Sequence, residues 1–134
     1  MTKIPLKKYL KTPAPWQVWY AYIPFEDGGI GKRRPVLVVE LNGSSCTVLE
    51  ITSKQPLYAV DVSIIDLNTA GLSQNSVVQI RKARTISKES LGSYLGTLSR
   101  DDRNTVKKSI DWWNNSDLKN TYDGMRKVQG LFRS

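Results

Sequence analysis

Histidine is absent from this 134-residue chain, and cysteine occurs only once, as Cys46. A single cysteine cannot form an internal disulfide, and without histidine a zinc site would need a shell made of carboxylates alone. The usual acid–base residue of enzymes is missing as well, so Cys46 has no imidazole to activate it and is expected to be a buried, inert thiol. We therefore expect no metal and no cofactor.

Long apolar runs are also absent. No stretch approaches the roughly 20 apolar residues that a membrane-spanning helix requires, and the first ten residues lack the apolar core of a secretory signal. A chain of 134 residues, 40% of them hydrophobic, is long enough for one core and too short for a second full domain. The sequence predicts one cytoplasmic domain without a membrane contact.

Positive charge is what the chain has in excess. Lysine and arginine number 20 against 12 aspartates and glutamates, which gives a net charge of +8. This balance suits phosphate-rich partners, nucleic acid first. An acidic protein would be attracted by the same field, and many small basic domains use charge only for solubility, so composition leaves these alternatives open.

Composition changes near residue 15. Residues 1–15 carry four lysines and three prolines, which is typical of a peripheral arm. From Trp16 the apolar side chains alternate and predict a first strand over 16–22, within a single domain that spans 16–134. The glycine-rich segment 25–33 then indicates a loop.

Four further strands are predicted in the middle of the chain. Asn42-Gly43 favours a type I′ hairpin turn, so the two strands that flank it should pair antiparallel. Five closely spaced strands over about residues 16–86 predict a small barrel. The four segments, apolar or alternating, are 36–41, 46–51, 58–64 and 76–81.

The hydrophobic period changes to that of a helix in the last third. Ser99 and Asp102 form a capping-box pattern before an apolar stripe, which predicts a helix over about 100–114. A second stripe over 118–128 predicts another helix that closes the barrel or meets a second subunit. The expected fold class is α+β and mostly β, with helices over about 87–134.

Candidate chemistry lies where the predicted strands meet loops. Arg34 stands between the glycine-rich loop and a strand, where its guanidinium can stabilise charge on a phosphorane during attack by a ribose 2′-hydroxyl. A solvated surface arginine is the alternative. Thr52, Ser53 and Lys54 follow the third strand and either contact a phosphate or serve simple turn chemistry.

Cationic and aromatic residues are also interleaved, as in a groove that binds single-stranded nucleic acid. There the cations contact the phosphate backbone and the rings stack on the bases. Some rings must fill the core, so only a minority should contact a ligand. Glu26, on the loop, is an outside candidate for proton transfer. The candidate groove residues are Lys32, Arg33, Arg81, Lys82, Arg84, Trp19, Tyr20, Tyr22, Phe25 and Tyr58.

Three segments in series resemble MazF/PemK-type toxins in order and spacing, and the similarity reaches from about Trp16 to Ile110. The segments are Val18-Trp-Tyr-Ala-Tyr-Ile-Pro-Phe-Glu-Asp, Gly31-Lys-Arg-Arg-Pro-Val-Leu-Val-Val and Ile51-Thr-Ser-Lys. The resemblance implies a compact SH3-like antiparallel β-barrel with appended helices, of the kind shared with CcdB toxins. It also implies a homodimer that cuts single-stranded RNA without a metal and is neutralised by an antitoxin.

The same resemblance implies roles for individual residues. The arginine of the family's Arg-Pro motif falls on Arg34, and the threonine after the third core strand falls on Thr52. In the implied mechanism a 2′-hydroxyl attacks its own phosphate while Arg34 stabilises charge and Thr52 orients the phosphate, leaving a cyclic phosphate and a 5′-hydroxyl. The expected substrate contacts are Ser53, Lys54, Lys32, Arg33, Glu26, Phe25, Arg81 and Arg84.

The chain also departs from the family pattern. The PemK branch has an Arg-x-Asp pair where this chain has Gln79-Ile80-Arg81, a histidine of part of that branch is absent, and the first-strand Gly-Asp is Trp16-Gln17. We expect an endoribonuclease toxin of a type II toxin–antitoxin system, with an acidic antitoxin lying across the basic groove. The alternatives are a catalytically inactive RNA- or antitoxin-binding module and a CcdB-like topoisomerase poison, which would not need Arg34 or Thr52.

Overall fold

The computed structural model describes residues 11–24, 30–56 and 58–116. Within them the chain forms six strands, two helices and a 3₁₀ turn at Lys88–Ser90. The strands are β1 (Gln17–Ile23), β2 (Lys32–Asn42), β3 (Ser45–Thr52), β4 (Val62–Ser63), β5 (Val77–Ser87) and β6 (Leu91–Thr97). The helices are α1 (Leu67–Ala70) and α2 (Arg100–Asn114).

The six strands form one antiparallel sheet in the order β4-β5-β3-β2-β1-β6. The expected mostly-β fold with a C-terminal helix is confirmed. Register shifts interrupt the β1–β6, β2–β3 and β3–β5 pairings, and such bulges bend and twist a sheet towards a barrel. Between the described residues of β4 and β6 no pairing exists, so the sheet is barrel-like and open on that side.

Strand β6 was not predicted, because residues 91–97 lie in the region assigned to helices. Its sequence contains Gly92 and Gly96, which have low β propensity and conceal the alternation. Gly96 is required by packing: a Cβ there would lie 2.5 Å from Thr69 O in α1. Gly71, with a φ of 76°, approaches β6 as closely. A Cβ on it would lie 1.9 Å from Leu95 O, so there is no room for a side chain.

Two local predictions need correction. The segment 58–64 is a strand only at Val62–Ser63, because a turn precedes it in which Asp61 N donates to Tyr58 O at 3.0 Å. The hairpin between β2 and β3 turns at Gly43 and Ser44, since Asn42 still pairs with Ser45. Of the two turn residues only Gly43 has a positive φ, which is the pattern of a type II′ turn rather than the expected type I′.

Side-chain alternation gives the sheet a core on each face. On the first face Val18, Leu37 and Leu49 pack with Val106 of α2. The second face buries Trp19, Ala21, Ile23, Val36, Val38, Cys46 and Val48. Cys46 is fully buried, as expected, and its burial raises the pKa of the thiol. None of the described helices is long and apolar enough to cross a membrane.

Helix α2 begins and ends where the sequence predicts. Ser99 caps it by accepting a hydrogen bond from Asp102 N at 3.1 Å. The carboxylate of Asp102 does not complete a capping box. It accepts instead from Ile65 N at 3.0 Å and Asp66 N at 2.9 Å, which ties α2 to the segment before α1. The second predicted helix, over 118–128, lies outside the described residues, as do residues 1–10 of the predicted arm.

Replacing Asp102 with alanine should destabilise the protein. The substitution leaves two backbone N–H groups without their charged acceptor, and a loss of about 2–3 kcal/mol in the free energy of unfolding is expected. Urea unfolding measures it. Asp101→Ala is the matched control, because Asp101 stands in the same first turn but is exposed, and equal losses in both variants would contradict the anchoring role.

Candidate functional site

Two arginines from different strands converge on one carboxylate. Arg34 Nη1 of β2 donates to Glu50 Oε1 of β3 at 3.0 Å, and Arg84 Nε of β5 donates to Glu50 Oε2. The Glu50 side chain is 3% exposed, whereas those of Arg34 and Arg84 are 32% and 28% exposed. A buried anion therefore holds two half-exposed cations, and we call these three residues the arginine cluster.

The strand register explains why the arginine cluster forms. Val36 pairs with Glu50 between β2 and β3, and Val48 pairs with Arg84 between β3 and β5. Since side chains alternate along each strand, Arg34 and Glu50 continue the rows of Val36 and Val48 on the second face. The cluster lies at one end of three neighbouring strands, where an apolar row gives way to charge.

Thr52 lies on the same face, two residues beyond Glu50 on β3. The antiparallel register carries Arg34 and Thr52 towards the same end of the sheet. Thr52 is half-buried, and its Oγ1 accepts a hydrogen bond from Lys54 N at 3.2 Å, so turn chemistry is present. A hydroxyl that accepts one bond keeps its own proton to donate, so Thr52 still has a donor for an anion.

The other expected substrate contacts are divided between faces. Lys32 is exposed and continues the row of Arg34, whereas Arg33 alternates to the first face. Tyr20 and Tyr22 are also exposed and continue the row of Val18, on that same first face. Ser53 and Lys54 are exposed after β3, and Lys82 is half-buried on β5. Phe25 and Glu26 lie outside the described residues.

Arg81 does not join the arginine cluster. Its Nη2 donates to Asp61 Oδ2 at 3.3 Å, and the two side chains are 5% and 1% exposed. Its guanidinium carbon lies 4.0 Å from the centre of the Tyr58 ring. The sequence predicts Arg81 as a substrate contact. In the structure it is instead a buried ion-pair partner that holds the turn at Tyr58–Asp61 against β5.

A bulge in β5 places Arg81 in this position. Leu49 pairs with Ala83 but Ile51 pairs with Val78, so residues 79–82 of β5 stand opposite Glu50 alone. A bulge of this kind changes the direction in which side chains point, and bulges are frequent beside functional sites. The bulge contains the Gln79-Ile80-Arg81 segment that departs from the PemK pattern.

Sequence reasoning did not identify Glu50 or Asp61. The sequence does contain a signal for Glu50, because its carboxylate lies between Leu49 and Ile51 in an apolar run typical of a buried strand. A fully buried glutamate almost always has an ion-pair or hydrogen-bond partner. Its partners belong to two other strands, so the sequence cannot name them. No group of three or more metal-ligating side chains occurs in the part of the chain that the structure describes.

The fold and the arginine cluster together define a class: small basic β-sheet proteins with half-exposed arginines at one end of the sheet. The model of the PemK-like, MazF-like toxin family of type II toxin–antitoxin systems matches residues 14–113. A comparison with curated protein sequences gave no significant match.

Solved structures resemble the same region. A Mycobacterium tuberculosis toxin, MazF-mt6, is 27% identical over 70% of this chain and 91% of that chain, with a TM-score of 0.57. MazF from Deinococcus radiodurans is 21% identical over 79% and 99%, with a TM-score of 0.62. An endoribonuclease in complex with its cognate antitoxin, from a mycobacterial species, is 17% identical over 74% and 91%, with a TM-score of 0.59.

This chain belongs to the PemK-like, MazF-like toxins of type II toxin–antitoxin systems, because the family match covers most of its length. The resemblance inferred from the sequence is confirmed. The fold resembles that of the solved MazF toxins.

Removing Asp61 should destabilise the protein more than removing the whole ion pair. Asp61→Ala leaves the Arg81 charge buried without its partner, and we expect a loss of about 3–5 kcal/mol in the free energy of unfolding. The double variant with Asp61→Ala and Arg81→Met should recover part of that loss, because it buries no unpaired charge. Urea unfolding of the two variants compares them, and a double variant less stable than Asp61→Ala would contradict the role of the pair.

Proposed function

We propose that this protein is an endoribonuclease that cleaves single-stranded RNA by attack of a ribose 2′-hydroxyl on its neighbouring phosphate, without a metal. Family membership supports the reaction class. The observation that carries the assignment is the state of Arg34: only its Nη1 is bonded within the described residues, and the side chain is one-third exposed beside Thr52. A planar guanidinium held from one side is suited to bind a phosphate from the other.

In the proposed reaction the 2′-oxygen bonds to phosphorus, and the bond from phosphorus to the 5′-oxygen breaks. The 2′-hydroxyl loses its proton and the departing 5′-oxygen gains one, so the products are a 2′,3′-cyclic phosphate and a 5′-hydroxyl. Arg34 stabilises the charge that accumulates on the non-bridging oxygens, and the Thr52 hydroxyl donates to one of them. Glu50 is not assigned the proton transfer, because both of its oxygens are already bonded to guanidinium groups.

Exposed groups around the arginine cluster would hold the RNA strand. Lys32 and Lys54 supply ammonium groups for flanking phosphates, and Ser53 supplies a further hydroxyl. Arg84, half-exposed at the other side of Glu50, offers a second guanidinium for the backbone.

An acidic antitoxin is the proposed protein partner, acting on a homodimer of this chain in the cytoplasm. Among the similar structures are an endoribonuclease in complex with its cognate antitoxin and a MazE–MazF pair from Deinococcus radiodurans. The net charge of +8 and the half-exposed Arg34 and Arg84 favour an acidic segment that lies over the arginine cluster and blocks RNA.

A catalytically inactive module of the same fold is the second candidate function. The PemK branch has the aspartate of its Arg-x-Asp pair at the position of Arg81, and here Arg81 is buried against Asp61. A site that lacks this acid and any histidine would bind RNA or antitoxin and leave the RNA intact.

Arg34→Ala should reduce RNA cleavage by at least about 100-fold, because a donor aimed at developing charge is typically worth 10²–10³ in rate. Thr52→Ala should reduce it less, because the cationic group remains. The assay incubates each protein with a long single-stranded RNA in chelator and maps 5′-hydroxyl ends. Lys108→Ala, which removes one exposed cation from α2, is the control and should cleave like wild type.

Each outcome of this assay separates the candidates. Wild-type cleavage that is lost in Arg34→Ala supports the ribonuclease. A wild type that binds RNA but cleaves none of several sequences supports the inactive module, and a protein that neither binds nor cleaves RNA supports the topoisomerase poison.

Binding of the acidic antitoxin should weaken with salt. Because charge drives the proposed contact, raising NaCl from about 0.1 M to 0.5 M shortens the Debye length and should increase Kd about tenfold or more. Calorimetric titration of the purified pair measures this. A Kd that is unchanged across the salt series would contradict the electrostatic part of the proposal.

A further inference from the structure

We propose that Glu50 is a positioning residue for the RNA-cleavage site, where its buried carboxylate fixes the guanidinium of Arg34 so that one edge stays available to a phosphate. The inference rests on the proposed function for its activity test. It assigns Glu50 no contact with the substrate, because the side chain is 3% exposed and both of its oxygens are bonded to arginines.

The geometry of Arg34 is consistent with orientation by a single contact. Arg34 Nη1 donates to Glu50 Oε1 at 3.0 Å. Nε is buried without a partner among the described residues, so the guanidinium has not been placed to satisfy its own donors. An arginine side chain is long and has many rotamers, and the bond from Glu50 selects one of them before RNA arrives.

The position of Glu50 on β3 argues against a purely stabilising role. Cys46 and Val48, both fully buried, precede it on the second face, and Val36 of β2 is its cross-strand neighbour. A further apolar residue would continue that row, and replacing a buried ion pair by well-packed apolar residues is often neutral or stabilising. What an apolar residue cannot supply is a fixed acceptor for two arginines.

Glu50 also reduces the charge repulsion within the arginine cluster. Its carboxylate lies between two guanidinium groups and weakens the repulsion between Arg34 and Arg84 when no RNA is bound. Glu50 therefore keeps the two arginines close together in the free protein, ready for an anion.

The decisive variant is Glu50→Gln, which keeps the shape of the side chain and removes its charge. Single-turnover cleavage of a short single-stranded RNA should show kcat lowered about 10- to 100-fold, as expected when a catalytic group is misplaced by about 1 Å. In an Arg34→Ala background the same change should have less than about a twofold effect, because Glu50 acts through Arg34. If the two effects multiply in full, Glu50 acts independently of Arg34 and the proposal is overturned.

Glu40→Gln is the matched control, because Glu40 lies exposed on β2 and loses the same charge. It should cleave like wild type. Glu50→Asp provides a second test if the glutamine variant does not fold, since it keeps the charge and withdraws the carboxylate by one methylene. We expect a reduced kcat for Glu50→Asp as well, and full activity in that variant would contradict positioning.

A readout without activity separates this inference from the proposed function. In ¹⁵N-arginine NMR spectra the Nε–H signals of Arg34 and Arg84, assigned from the alanine variants, should be sharp in wild type. They should broaden or shift in Glu50→Gln while the backbone amide spectrum is preserved. Unchanged arginine signals would overturn the role of Glu50. If wild type cleaves no RNA, the proposed function fails, and the NMR result together with binding of a 2′-deoxy oligonucleotide still decides whether Glu50 positions Arg34.

Discussion

Strand β3 is hydrogen-bonded to β2 on one side and to β5 on the other. The registers of these two pairings decide where the charged side chains lie. Val36 stands opposite Glu50 in one pairing, and Arg84 stands opposite Val48 in the other. Alternation then brings Arg34 to the same face. A slip of one residue in either pairing would place the arginine of that strand on the opposite face from Glu50, so the site depends on this register before it depends on any local motif.

Two buried carboxylates divide the arginines of a basic chain into different roles. Glu50 holds Arg34 and Arg84 with part of each side chain exposed, whereas Asp61 holds Arg81 almost completely buried. Because a buried charge is costly without a partner, both acids must be paired in the folded protein. Exposure of the side chain therefore separates the two half-exposed arginines of the arginine cluster from Arg81, which holds a turn.

Prediction from the sequence was most successful where local chemistry is sufficient. The cap at Ser99 and the helical period determine the bounds of α2, and apolar alternation locates β1 to β3 because each strand buries one row on each face. It failed at β6, where Gly96 is required by the close approach of α1, and at the segment before β4, where Asp61 pairs with Arg81. Both failures involve contacts between residues distant in sequence, which no local pattern contains.

The sequence by itself determined the family, the mostly-β fold, the burial of Cys46 and the candidacy of Arg34 and Thr52, because motif order, period and composition are properties of the linear chain. Tertiary structure alone decided that Glu50 joins Arg34 to Arg84 and that the β5 bulge buries Arg81. The physical reason is that an ion pair between strands requires a register, and a register is a property of paired strands.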